Sequence, residues 1–444
     1  MLGTTYFIKT FGCQMNKYDS ERIAALLTEA GLRATETPDD ADVIVFLTCC
    51  VREGADERLY GQVASLKRLK TAGKTPLIAV GGCIGQRDGA ALQKKIPHID
   101  VVFGTHNLND LVPLLEQAHE SRTPQVTTLP QSSAADFDRL APEQREHSFH
   151  AWLPISVGCN NFCSYCIVPY VRGREVSRPL DDIVKTAREL VADGVAEITL
   201  LGQNVNSYGR DLYGEPRFAQ VLEAVAATGV SRLGFATSHP KDLSDATIEV
   251  MTSQSAVLRY LHLPVQHGND EVLSAMRRVY TRAQYLERVA ALRAAIPDIT
   301  LSTDIIVGFP GETSAQFEDT LDLARQVGYD QAFTFIYSPR EGTRAAAFPN
   351  QIPHDVALER FERLAELVKT SAEARNAALL DTTQSVLLEG PSKRDPALMT
   401  GRTRSYKLVH VPTPDAVDEQ TLRGKELPVR ITGTHAFYLQ GALV

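Results

Sequence analysis

The sequence predicts an α/β protein in three segments: an N-terminal parallel-sheet βαβ segment, a central partly open barrel of six β/α units, and a small C-terminal β-barrel. Short β-branched runs alternate with helical patterns through the first two segments, and polar or glycine-rich loops recur directly after the strands. Residues 379–444 lose the helical period and gain turn residues. With 444 residues, 43% of them apolar, there is material for a core in each segment. Forty-six Lys plus Arg against fifty-four Asp plus Glu leave a net charge of -8. That balance excludes a protein coated in basic side chains, so any contact with a polyanion has to be local. No apolar stretch approaches the ~20 residues of a bilayer crossing, and the first residues lack the basic and apolar regions of a secretory leader. A cytoplasmic protein with no membrane partner is expected.

In the first segment, strands are expected at residues 4–9, 42–47, 76–80 and 100–103, with helices at 18–30, 52–70 and 86–96. Cys13, Cys49 and Cys83 each fall just past the end of a strand. In an open parallel sheet those ends form one rim, where ligand crevices occur, so thiols far apart in sequence can converge there. Three unrelated buried thiols are the plainer alternative, since cysteine is often simply core. Residues 119–148 are polar, with scattered Pro and Ser, and predict a linker. The expected domains are therefore 1–118, a linker at 119–148, 149–378 and 379–444.

The central segment offers strands at 152–157, 197–201, 232–236, 259–263, 300–307 and 332–337. Six β/α units in order suggest a barrel, whose sites lie at the C-terminal strand ends. The loops GCNNFCSYC, GQNVNSYG, TSHP, PVQHG and GFPGET all follow strands in this way. Residues 354–378 predict one long packed helix, with Val356, Leu358, Phe361, Leu364 and Val368 as its apolar stripe. The last segment has strand candidates at 385–388, 407–410, 427–432 and 437–444.

Cys159, Cys163 and Cys166 form C-x3-C-x2-C in one loop. Closely spaced thiolates select zinc or iron–sulfur centres. A closed structural zinc site or a ferredoxin-type cluster takes four ligands, and no cysteine follows Cys166. The motif thus describes a centre with one open coordination position; a closed centre would need a histidine from elsewhere, such as His239, His262 or His267.

With this spacing at the end of the first barrel strand, the chain resembles the radical S-adenosylmethionine (SAM) superfamily. That resemblance implies a 4Fe-4S cluster on Cys159, Cys163 and Cys166 that binds SAM at its unique iron and cleaves it to a 5'-deoxyadenosyl radical. Together with TFGCQMN, TCCVRE and GGCIGQR, the chain is similar to the methylthiotransferases over nearly its whole length, including a TRAM-like RNA-binding tail. Cys13, Cys49 and Cys83 then match a second, auxiliary 4Fe-4S cluster that takes part in supplying sulfur. Gln203, Asn204, Gly308, Gly311 and Glu312 match places where the superfamily holds SAM. The runs GCNNFCSYCIVPYVRGREVSRP, LLGQNVNSYG, HLPVQ and FTFIYSPREGT look closest to members that methylthiolate N6-isopentenyladenosine beside the tRNA anticodon.

The implied partners are tRNA carrying that base, a reduced flavodoxin- or ferredoxin-type electron donor, and a sulfur donor. Two neighbouring readings keep the chemistry and change the target, to threonylcarbamoyl-adenosine in tRNA or an aspartate of a ribosomal protein. A third, of another class, is a non-catalytic iron–sulfur RNA-binding protein. Arg402, Arg404, Tyr406 and Lys407 in the tail, and Arg172, Arg174 and Arg178 after the cysteine loop, are expected RNA contacts, with solvated surface charge as the alternative. Three residues depart from the family pattern: Cys50, expected to be a packed thiol; Leu47, where the family has Asn; and His267, expected as a substrate contact or a loop histidine.

Overall fold

In the computed structural model, residues 2–49, 55–71, 73–129, 145–414 and 418–444 are described, so Cys50 and most of the expected linker lie outside them. The chain forms two compact units. Met1–Glu146, Ser156–Phe162 and Cys166–Arg178 make the first, and His147–Ile155, Cys163–Tyr165 and Pro179–Val444 the second.

The first unit is a six-stranded sheet of β1 (Thr5–Thr10), β2 (Arg33–Ala34), β3 (Val43–Thr48), β4 (Leu77–Gly82), β5 (Val101–Phe103) and β6 (Gln125–Thr127). Its order is β2-β1-β3-β4-β5-β6, with every pair parallel. The β3 and β4 sequences, VIVFLT and LIAVGG, are buried throughout. Such continuous apolar runs belong to a parallel sheet covered on both faces. Val43, Val45 and Leu47 pack with Ile23, Leu27 and Leu111 on one side, while Ile44 and Phe46 pack with Leu59, Val63 and Ile84 on the other. Strand β6 corrects the expectation of a linker from residue 119: the helix Leu111–Ser121 runs into that range, and 125–127 closes the sheet as an edge strand. The order reverses between β1 and β3, the switch point at which doubly wound sheets of this order hold ligands. This unit also holds the short antiparallel pair β8 (Ser156–Val157) and β9 (Val176–Ser177).

In the second unit, β7 (His150–Pro154), β10 (Glu197–Leu201) and β11 (Arg232–Phe235) form one parallel sheet. Strands β12 (Tyr260–His262), β13 (Thr300–Val307) and β14 (Gln331–Ile336) form another. A bridge between Leu233 and Val257 joins them, so six parallel strands follow one another in sequence order, as expected for a partly open barrel. Helices such as Leu180–Ala192 and Ser314–Val327 bury their apolar stripes against these strands. The long helix His354–Ala377 adds Leu364 and Val368 to the same core.

The tail is a closed barrel of β15 (Thr383–Pro391), β16 (Leu398–Thr403), β17 (Leu408–Pro412), β18 (Glu426–Thr434) and β19 (Leu439–Leu443). It is fastened to the N-terminal ends of the central strands by Arg232, whose side chain is fully buried. Arg232 donates to Glu197 at 2.7 Å, to Glu426 at 3.0 Å and to the Thr403 carbonyl at 2.9 Å. Removing one partner of a buried ion pair strands the others in low dielectric, so Arg232→Ala is expected to cost about 3–5 kcal/mol. Denaturant unfolding of the variant checks this.

Candidate functional site

The first unit sets Cys13, Cys49 and Cys83 directly after three adjacent strands, β1, β3 and β4, on the rim where the strand order reverses. Cys13 follows β1 as the N-cap of the helix Gln14–Glu29, Cys49 follows β3, and Cys83 begins the helix Cys83–Asp88 after β4. Gly12 allows the approach. Its φ is 126°, and a Cβ there would stand 2.3 Å from that of Cys49, so any larger residue would drive the thiols apart. A hydrogen bond from Cys49, helped by the Arg172 charge and the Asn16 N–H and opposed by burial, lowers the Cys13 thiol to about 6. Cys13 is therefore poised as a thiolate, the form that ligates metal. Arg172 is buried; it donates to Asn16 Oδ1 at 2.9 Å and Asp19 Oδ2 at 2.8 Å, and its charge also acts on Cys83 and Cys13.

These contacts give Arg172 and Leu47 roles the sequence did not show. Arg172, expected at phosphate, faces the thiols instead. At Leu47 the apolar side chain is core, and Asn16 supplies the polar contact by donating to the Phe11 and Thr48 carbonyls at 2.9 Å each.

The cysteine loop lies one residue beyond β8. Gly158, at φ 77°, lets the chain pass so close to Arg174 that a Cβ would sit 2.0 Å from its carbonyl oxygen. Within the first unit, Cys159 Sγ accepts from the Asn161 N–H at 3.4 Å. Within the second, Cys163 is buried and its Sγ accepts from Arg278 at 3.4 Å. Cys166 is part-buried. Among the described residues, no three His, Cys, Asp or Glu side chains close on a point as the ligands of one metal ion do.

The three histidines weighed for a closed centre are engaged elsewhere. His239 accepts from the Lys241 N–H, and burial, with the Arg278 and Lys241 charges, lowers it to about 2. His262 contacts Ser302 at 2.8 Å. His267 is fully buried: its Nδ1 accepts from the Asn269 N–H at 3.1 Å, leaving the Nε2–H to donate to Glu312 at 2.8 Å. This corrects both expectations for His267, which is neither a substrate contact nor an exposed loop residue.

Glu312 is likewise saturated. Its carboxylate accepts from His267, from the Gly308 N–H at 2.5 Å and from Arg360 at 2.8 Å, so it staples the loop after β13 shut. The backbone of Gly308 and Gly311, at φ 70° and 81°, shapes that loop, and the Gly311 N–H donates to the Asn350 carbonyl. The loops after β10 and β11 differ. Gln203 Oε1, Asn204 Oδ1, Asn206 Nδ2 and Ser238 Oγ are buried and find no hydrogen-bond partner among the described residues, and neither does Tyr337 OH at the end of β14. Each such orphan costs about 1–3 kcal/mol, and nearby Thr237 sits at φ 70°, a strained position for a β-branched residue. Orphaned donors and acceptors together at the C-terminal strand ends fit a ligand that carries both, as SAM does. Sequence reasoning missed Asn206, Ser238 and Arg278; only the first two stood in loops already singled out.

Arg402, Arg404, Tyr406 and Lys407 lie at the opposite, N-terminal end of the central strands. Arg404 donates to the Ser231 and Ser255 carbonyls and to Glu426, and Lys407 to Asp330 and Asn376 at 2.7 Å each. Tyr406 stacks on Tyr260 at 4.8 Å, and Arg402 lies over the Tyr406 ring and pairs with Glu389. Arg404, Tyr406 and Lys407 dock the tail barrel to the central one, and Arg402 braces Tyr406 from within the tail. Of the earlier arginines, Arg178 is buried, while Arg174 is exposed and lies over the Phe162 ring.

Family models match in three places: radical SAM superfamily over residues 153–324, TRAM domain over 380–444, and uncharacterized protein family UPF0004 over 5–104. A radical SAM methyltransferase of Kitasatospora setae shares the fold at TM-score 0.58 and 12% identity, covering 77% of each chain. The cobalamin-dependent SAM radical enzyme OxsB does so at TM-score 0.51 and 13% identity, covering 83% of this chain and 56% of that one. Two relatives, from Moorella thermoacetica and Carboxydothermus hydrogenoformans, are each 46% identical. They cover 99% and 100% of this chain and 98% and 100% of their own, and both are named tRNA-2-methylthio-N(6)-dimethylallyladenosine synthase. With thiol trios after the strands of a parallel sheet and in the loop of a six-stranded barrel, and with such relatives over its whole length, the chain belongs to the radical SAM methylthiotransferase family.

Proposed function

We propose that this enzyme replaces the hydrogen at C2 of N6-isopentenyladenosine in tRNA with a methylthio group. The observation that carries the reading is the full-length 46% identity to relatives named for that product. The two thiol trios support it. Cys159, Cys163 and Cys166 would hold the 4Fe-4S cluster that the radical SAM family implies, and Cys13, Cys49 and Cys83 a second one. An aromatic C–H is beyond any side-chain base at neutral pH, and SAM bound to a reduced cluster supplies a carbon radical that can take that hydrogen. The protein's part is to hold thiolates, orient SAM and keep water out. The poised Cys13 thiolate serves the first of these. Gln203, Asn204, Asn206 and Ser238 serve the second, with Gly308, Gly311 and Glu312 shaping the loop after β13.

The electron comes from a reduced flavodoxin- or ferredoxin-type donor and the sulfur from a separate sulfur donor. The tail barrel supplies RNA contact, as TRAM domains do, through surfaces other than its docking residues. No described helix is long and apolar enough to cross a membrane, and a cytoplasmic location fits a tRNA substrate. Mass spectrometry of tRNA nucleosides from a deletion strain tests the target. The account expects isopentenyladenosine to accumulate without its methylthio form. An intact methylthio pool with loss of methylthio-threonylcarbamoyl-adenosine, or of a modified ribosomal aspartate, would move the target elsewhere.

A further inference from the structure

We propose that Arg278 is a positioning residue that holds the Cys163 sulfur and raises the reduction potential of the centre built on it. The inference rests on the reading of Cys163 as a cluster ligand. Arg278 is 7% exposed. Its guanidinium donates from Nε to Tyr280 OH at 2.9 Å, from Nη2 to the Pro264 carbonyl at 3.1 Å and from Nη1 to Cys163 Sγ at 3.4 Å. No carboxylate among the described residues pairs with it. A buried cation without a counter-charge is strongly unfavourable, and the side chain in reach that becomes an anion on ligating a metal is Cys163.

The local chain is built to deliver that contact. The helix Asp270–Ala275 ends with Arg277 at φ 59°, the Arg277 N–H donating to the Ser274 carbonyl and the Arg278 N–H to that of Leu273. This is a Schellman ending with a non-glycine residue in the left-handed position, and it turns Arg278 inward. The same helix end accepts from Ser164, the neighbour of Cys163: its Oγ donates to the Ala275 carbonyl at 2.7 Å and its N–H to that of Met276 at 3.0 Å. Tyr280, which orients the guanidinium, is itself fixed by donating to the Val265 carbonyl at 2.7 Å. Cys163 and Arg278 are thus pinned from both sides of one helix terminus.

A hydrogen bond to a ligating sulfur and a positive charge beside it both favour the more negative, reduced state of an iron–sulfur centre. Arg278→Gln keeps a donor and removes the charge. The test is a potentiometric titration followed by electron paramagnetic resonance. It uses full-length protein in which Cys13, Cys49 and Cys83 are alanine, so that one centre reports. Arg278→Gln is expected to lower the reduced-to-oxidised ratio about tenfold at a fixed poise, which is 59 mV for a one-electron couple. Arg278→Lys, which retains charge, is expected to recover most of the shift.

An unmoved midpoint at equal iron content would overturn the inference and leave the cluster assignment standing. If instead the parent carries no centre that is lost on replacing Cys159, Cys163 and Cys166, the assignment itself has failed. Should Arg278→Gln take up no iron, uptake by Arg278→Lys but not by Arg278→Met supports the role of charge. Equal uptake by both overturns it.

Discussion

Cys163→Ala is expected to lose conversion of SAM to 5'-deoxyadenosine by more than about 100-fold, the loss that disturbing merely the surroundings of a metal ligand can reach. Cys163 is the member of the C-x3-C-x2-C loop held in the second unit, buried and bonded to Arg278. Alanine removes the sulfur and also strands the buried guanidinium. Liquid chromatography of anaerobic reactions with a chemical reductant reads the product directly. Undiminished 5'-deoxyadenosine in the variant would remove Cys163 from the centre. Its absence from the wild type as well would favour a non-catalytic iron–sulfur protein.

Cys13→Ala should separate the two halves of the chemistry. It is expected to roughly halve the iron per chain and abolish methylthio transfer, while SAM cleavage at the other centre continues. The physical reason is the local arrangement: Cys13 accepts a hydrogen bond from Cys49, lies at a helix N-terminus, and is favoured as a thiolate with help from the buried Arg172. Iron and sulfide analysis of reconstituted protein, run beside a tRNA assay, gives both readouts. Loss of SAM cleavage in step with methylthio transfer would mean that the two thiol trios do not hold independent centres.

Much of this is legible in the amino-acid sequence itself. Chemistry-bearing cysteines interrupt apolar strand patterns, so the positions of Cys13, Cys49 and Cys83 just past strand ends follow from the strand pattern. The six barrel strands were readable because β-branched runs such as EITLL and TLSTDIIV are buried.

What escaped were side chains whose role depends on partners distant in sequence. Arg278 sits in a Met-Arg-Arg run that looks like solvated charge, and its direction follows from the left-handed Arg277. Arg172 and the tail residues Arg402, Arg404, Tyr406 and Lys407 carry the composition of a nucleic-acid contact. The partners that claim them, Asp19, Glu389, Glu426, Tyr260 and Asp330, lie 13 to 153 residues away in the chain. Strand β16, LMTGRT, was missed because its polar residues resemble a turn and only barrel closure buries Met399 and Thr403. His267 and Glu312 stood in loops that glycine marks as ligand-facing, yet they satisfy each other in the interior.

On the proposed reaction, this chain takes the hydrogen from C2 of the modified adenine and puts sulfur in its place. Reconstituted wild-type enzyme incubated anaerobically with a chemical reductant, sulfide, SAM and tRNA bearing isopentenyladenosine deuterated at C2 tests it in one experiment. The account predicts deuterium in the recovered 5'-deoxyadenosine and methylthio-isopentenyladenosine in the digested tRNA. Formation of 5'-deoxyadenosine free of deuterium, with the tRNA base unchanged, would contradict it.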